Sequence, residues 1–190
     1  MHKAIVFAGF GGQGIMFIGQ LLAYAAMDHG YHVTWIPSYG PEMRGGTANC
    51  FVVVSSDPIG APVAAYPDVA LIFNRPSFDK FEPLVRDGGL LVVNSSLVEQ
   101  QTAREALDVV RVPATKIASA VGSERLTNAV LLGAMLTVEP ILPITAINAA
   151  LQAHMPAHRR DALAANIDAL ERGSQHVRKQ NPELLNSLSI

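Results

Sequence analysis

Apolar residues follow two different rhythms along the chain. Up to residue 112 they occur in short, nearly unbroken runs: 3–8 (KAIVFA), 32–36, 47–55 (TANCFVVVS), 69–73, 90–94 and 108–112. Runs of this length, closed by glycine, proline or asparagine, are the pattern of strands covered on both faces. Run 47–55 is the most β-branched and predicts a central strand. Residues 15–29 read as a helix that Gly30 stops. The first 36 residues therefore form a strand–helix–strand unit, which favours a right-handed crossover and a parallel sheet. Residues 37–46 (PSYGPEMRGG), with two prolines and three glycines, predict a loop. A short helix is expected over 77–85 with Ser77 as its cap. Beyond Pro113 the spacing turns helical, over 124–138, 144–155 and 159–177. The fold class expected is α/β: an open, mainly parallel Rossmann-like sheet with flanking helices and a C-terminal helical segment. We read 1–190 as a single domain, with a sheet-rich core over 1–112 and a helical part over 113–190.

Composition narrows the picture. Of 190 residues, 49% are hydrophobic and 16% charged, which excludes a disordered chain. The net charge of −2 offers no electrostatic footprint for nucleic acid or an anionic membrane. Cys50 is the sole cysteine, so this chain forms no internal disulfide and no CxxC metal or iron–sulfur site. The start, Met1-His2-Lys3, runs directly into an apolar segment without the layout of a signal peptide. The most apolar stretch, 129–153, is broken by Glu139, Pro140 and Pro143, and reads as two buried helices rather than a membrane span. A cytoplasmic protein is the expectation. Low charge also fits a subunit with exposed apolar surface, one that pairs as a homodimer when isolated.

The first candidate site is Gly9-Phe10-Gly11-Gly12-Gln13-Gly14, a GxGxxG pattern between a strand and a helix. Glycine lets a ligand approach the backbone, and the helix start offers N–H groups and positive dipole charge to an anion. Gly11, Gly12, Gln13 and Gly14 are the candidate contacts; tight strand–helix packing alone is the other use of such glycines. A nicotinamide dinucleotide is disfavoured. The second strand ends Thr34-Trp35-Ile36-Pro37-Ser38, without the acidic residue that bonds ribose hydroxyls. The second candidate is Ser38-Tyr39-Gly40-Pro41-Glu42-Met43-Arg44-Gly45-Gly46, at the strand edge where open α/β sheets bind ligands. Ser38 and Arg44 are its candidate contacts. Arg44 suits a phosphate or carboxylate, or pairs with Glu42 to hold the loop closed.

Other polar residues point to structure. Asn94-Ser95-Ser96 is placed to cap the next helix, and Asn74 and Asn128 read as buried amides that satisfy backbone. Cys50, inside an apolar strand, reads as an inert thiol. His154 and His158 are four apart, but Pro156 between them argues against a shared metal-binding face. No catalytic triad, paired-carboxylate site or P-loop lysine is present.

GFGGQGI at 9–15, PSYGPEMRGGTANC at 37–50, PD at 67–68 and LLVVNSS at 90–96 resemble the γ subunit of 2-oxoacid:ferredoxin oxidoreductases. The likeness continues through PATKIA at 113–118 and LTNAVLLGAML at 126–136. The SYGPEMRGG loop followed by TANC looks most like the 2-oxoglutarate branch. The resemblance implies a non-autonomous subunit of a complex that oxidatively decarboxylates a 2-oxoacid to acyl-CoA. No catalytic residue and no tightly bound cofactor are expected in this chain. CoA is its candidate ligand. Thiamine diphosphate, magnesium and iron–sulfur clusters would belong to partner α and β subunits, with or without a ferredoxin-like δ, which pass electrons to ferredoxin. A free-standing nucleotide- or CoA-binding protein, or a purely structural interaction module, stays open as an alternative. Ser174 stands where an aromatic residue is common in that family.

Overall fold

The computed structural model describes residues 1–38 and 47–180. Six strands form one sheet in the order β2-β3-β1-β4-β5-β6. They are β1 (His2–Phe10), β2 (His32–Ser38), β3 (Thr47–Ser55), β4 (Val69–Ile72), β5 (Leu90–Asn94) and β6 (Asp108–Val112). β1, β4, β5 and β6 pair in parallel. β3 runs antiparallel to both of its neighbours, β1 and β2.

This arrangement confirms a mostly parallel sheet but corrects the expected first unit. β1 and β2 run the same way and are joined by helix α1 (Ile15–Asp28), yet β3 lies between them. The reason is chain length. Residues 39–46 are too few for a crossover, so β3 must return antiparallel beside β2. β3 is interior, as its β-branched sequence suggests, and β2 is the edge strand. β2 also continues through Pro37 to Ser38, beyond the expected strand end. A proline is tolerated on an edge strand because the outward side needs no N–H partner.

The helices cover the two faces unequally. Helices α1, α4 (Thr127–Val138), α5 (Ile144–His154) and α6 (Leu163–Gln180) pack on the face bearing Ile5, Phe7, Val52, Leu71 and Val92. α3 (Ala114–Val121) joins them through Ala114 and Ala118. The opposite face, with Val6, Ala70, Ile72 and Leu91, is covered by α2 (Arg75–Phe81) and by Val98 and Leu107 of the β5–β6 connection. α4 is buried on nearly every side, which explains its lack of a polar stripe. Each large side chain fully buried in such a core stabilises the fold by about 1.5–3 kcal/mol. No helix among the described residues is long and apolar enough to cross a membrane.

Local polar bonds fix the edges. Asn74, not Ser77, caps α2: its Oδ1 accepts from the Ser77 N–H at 3.0 Å. Asp68 of the PD pair accepts from the Ala4 N–H at 2.7 Å and pairs with Arg86, so it joins β1 to the turn before β5. Lys3 and Glu139 form an ion pair at 2.8 Å between β1 and the end of α4.

Candidate functional site

The glycine loop sits at the C-terminal end of β1 and opens α1. Gly12 and Gly14 have φ of +93° and +73°, a region that side chains with a Cβ disfavour. Gln13 closes the loop on itself. Its N–H donates to the Phe10 carbonyl at 3.2 Å, and its Oε1 accepts from the Phe10 N–H at 2.6 Å. The Gln13 backbone donor is thus already used inside the loop, and its side chain is a structural tie. A Cβ on Gly9 would stand 2.6 Å from that Oε1 and 2.8 Å from Phe73, so this position has no room for one.

A long-range bond holds the loop from the helical part of the chain. The Asn128 Nδ2 donates to the Gly14 carbonyl at 3.2 Å, while its Oδ1 accepts from the Ala129 N–H. Asn128 is therefore the backbone-satisfying amide expected, with the glycine loop as its target. Gly14 begins α1 without a side-chain cap, and the first turn of α1 carries no acidic residue. Among the described residues no side chain takes its N–H groups, which suit an anion.

The loop forms one wall of a cleft of ≈ 880 Å³. Phe10, Gly11, Gly12, Gly14, Ile15 and Phe17 come from the β1–α1 end. Ser123 and Arg125 come from the α3–α4 connection, and His158, Arg159 and Asp161 from a 3₁₀ turn (Ala157–Ala162) before α6. Leu126, Met155 and Ala165 add an apolar floor. The size and the mixed lining suit a small-molecule site. The arginines were invisible as site residues in the sequence, because no motif surrounds them and they approach the loop only through the fold.

The other candidates fall elsewhere. Ser38 is exposed and opposes Asn49, which itself opposes Ala8, so two strand spacings, about 10 Å, separate it from β1. It does not line the cleft. Arg44, Glu42 and Tyr39 lie outside the described residues. Asn94, fully buried, accepts from the N–H groups of Ser96 and Thr115 and donates to Thr115 Oγ1 at 2.9 Å. Together with Ser96, whose Oγ accepts from the Lys116 N–H, it caps α3 from across the sheet edge. Cys50 is fully buried against α1, and burial pushes its thiol up to about 12. His154 ends α5; its Nε2 meets Asp28 Oδ2 at 2.8 Å and its ring stacks on Tyr24. His158 lies on the following turn, and no group of three metal-ligating side chains occurs among the described residues. Ser174 is buried and accepts from Thr137 Oγ1 at 2.7 Å, so a small polar side chain is satisfied at this position.

An open, mostly parallel sheet with a glycine loop at a strand's C-terminal end and helices on both faces defines a doubly covered α/β fold. Residues 4–176 match the pyruvate ferredoxin/flavodoxin oxidoreductase family, and the chain belongs to it. The ketoisovalerate oxidoreductase subunit VorA of Methanothermobacter marburgensis is 43% identical over 131 residues. That match covers 69% of this chain and 27% of VorA, so it spans about a quarter of the relative's length. The 2-oxoglutarate synthase subunit KorC of Methanocaldococcus jannaschii is 32% identical, over 82% of this chain and 85% of KorC. Among solved structures, the keto/oxoacid ferredoxin oxidoreductase γ subunit of Geobacter sulfurreducens superposes with a TM-score of 0.79 at 28% identity, covering 91% of this chain and 96% of the other. The 2-oxoglutarate:ferredoxin oxidoreductase of Magnetococcus marinus, solved with 2-oxoglutarate, coenzyme A and succinyl-CoA bound, shares the fold at a TM-score of 0.82 and 23% identity, over 98% of this chain and 31% of that one.

Proposed function

We propose that this chain is the γ subunit of a thiamine-diphosphate-dependent 2-oxoacid:ferredoxin oxidoreductase. The supporting observation is the near end-to-end match to separate γ-type chains, 85% of KorC and 96% of the Geobacter γ subunit. In this reading the chain works in the cytoplasm with α and β subunits, and with a ferredoxin-like δ where one exists. One buried cysteine with a raised pKa cannot supply the thiolates of a cluster. The redox centres, thiamine diphosphate and magnesium are assigned to the partners. 2-Oxoglutarate is the proposed substrate, on the form of the SYGPEMRGG loop and the KorC match. The 43% identity to VorA favours a branched-chain 2-oxoacid as the second reading.

The cleft beside the glycine loop is proposed to take CoA, whose thiol accepts the acyl group. Its anionic and apolar parts fit the lining: backbone approach at Gly11, Gly12 and Gly14, the uncapped start of α1, and an apolar floor. Gln13 acts there by holding the loop closed. Ser38, the last residue of β2, and Arg44, in the segment that follows it, are proposed as further contacts for a part of the ligand that extends beyond this lining. Affinity purification from the native host tests the assignment. Co-purifying thiamine-binding and cluster-bearing chains support it; recovery of the chain alone or as a homodimer from cells expressing those chains would refute it. Assay of the purified complex with 2-oxoglutarate and with 2-oxoisovalerate then decides the substrate.

A further inference from the structure

The CoA reading leaves open what supplies positive charge in the described cleft. A closed glycine loop and a helix start offer only partial charges. Elsewhere on the surface Arg86, Arg104 and Arg172 each pair with an aspartate. Arg125 and Arg159 differ. Both line the cleft. Among the described residues neither guanidinium has a hydrogen-bond or ion-pair partner; the backbone N–H groups donate to Ser123 Oγ and to the Pro156 carbonyl. Against these two charges the described part of the lining carries a single carboxylate, Asp161. The cleft is thus locally cationic in a chain whose net charge is −2.

We infer that Arg125 and Arg159 are the phosphate-binding residues of this cleft, and that they hold the nucleotide end of CoA against the glycine loop. The inference rests on the CoA reading and assigns the residues that carry its specificity. Arg125 leads into α4, next to the Asn128 that holds Gly14, so its wall is fixed relative to the loop. Arg159 comes from the separate turn between α5 and α6. Two guanidinium groups reaching one cleft from different elements match a ligand with more than one phosphate, because each can fork onto its own oxygens. Apolar Phe17, Leu126 and Met155 complete a surface for the flat base. With the nucleotide held here, the thiol end projects out of this subunit toward the partner that performs the chemistry.

The test is the CoA dependence of the assembled complex carrying Arg125→Gln, Arg159→Gln, both together, Gly12→Ala, or Arg160→Gln. Arg160 sits on the same turn as Arg159 but does not line the cleft, so it controls for the loss of charge. Each cleft arginine is expected to raise the KM for CoA by roughly 10-fold or more, and the pair further, from the usual strength of charge-assisted bonds. The kcat at saturating CoA, the retention of subunits and the Arg160 variant should match wild type. An unchanged KM in the double variant, or loss of partner subunits from it, overturns the inference. If Gly12→Ala still raises the KM for CoA, the cleft stands as the CoA site and only the arginine assignment falls. If neither change moves it, the CoA reading falls too.

Discussion

Gly133 and Gly173 are reciprocal notches where α4 crosses α6. A Cβ on Gly133 would lie 2.0 Å from the Leu170 carbonyl oxygen, and one on Gly173 2.0 Å from the Val130 carbonyl oxygen. Each glycine lets the other helix's backbone come into contact, and the clash falls on backbone rather than on a side chain that can turn away. Gly133→Ala or Gly173→Ala is therefore expected to destabilise the subunit by about 1–3 kcal/mol or more through overpacking. Denaturant unfolding followed by circular dichroism checks this; stability equal to wild type would show that the helices can separate freely.

Asn94 predicts a different kind of loss. It is fully buried and serves α3 and the β5 turn at once. Asn94→Leu keeps the volume but leaves the half-buried Ser96 and Thr115 donors unpaired, at a total cost of about 1–3 kcal/mol. Hydrogen exchange should quicken in the first turn of α3 before the sheet is affected. Uniform exchange across the domain would contradict a capping role.

Cys50 gives a prediction with a definite sign. Its folded pKa is raised by burial, to about 12. An unfolded thiol ionises near 8.5. Above that pH the unfolded chain has released its proton while the folded chain retains it, so stability falls as pH rises from about 8.5 toward 12. Wild type should lose stability more steeply than Cys50→Ala across that window, and iodoacetamide at pH 8 should label Cys50 only after unfolding. Rapid labelling of the native protein would contradict the burial.

The isolated chain is expected to show no CoA-dependent reduction of an electron acceptor with 2-oxoglutarate, thiamine diphosphate and magnesium. Turnover should appear only on adding the partner chains. Substantial activity of the lone chain would contradict the subunit assignment.

Ile36, on edge strand β2, is 40% exposed, while α1 covers the other face of that strand at Val33 and Trp35. An apolar edge strand invites pairing. Light scattering should find the isolated chain dimeric, and Ile36→Lys should shift it toward monomer. A wild-type chain that stays monomeric at high concentration would contradict this.

What is legible in the sequence depends on how local its cause is. The runs at 69–72 and 90–94 read as strands because every residue is buried, so no polar alternation hides them. The helix after the glycine loop reads correctly for a similar reason. The cap of α2 was also readable: Pro76 belongs in a helix's first turn, which places the cap at Asn74 rather than Ser77. Sheet order was not, since nothing in the β1–α1–β2 segment announces that β3 will insert between its strands. The close passage at Gly133 and Gly173 and the shared cleft lining by Arg125 and Arg159 arise from segments far apart in the chain. Local patterns do not encode such encounters. The glycine loop was found by its motif, but its bond to Asn128 came only with the fold.

That bond also bears on the order in which the protein can be completed as it is made. The Gly14 carbonyl waits for a donor 114 positions later, and Lys3 for a carboxylate 136 positions later. A ribosome adding about 5–20 residues per second has long since extruded the glycine loop when Asn128 appears. During that interval the sheet's first strands have α1 beside them but not the C-terminal helices α4, α5 and α6. The nascent β1–α1 segment thus stays partly uncovered until the C-terminal helices arrive, and the cleft beside the glycine loop is among the last features to form.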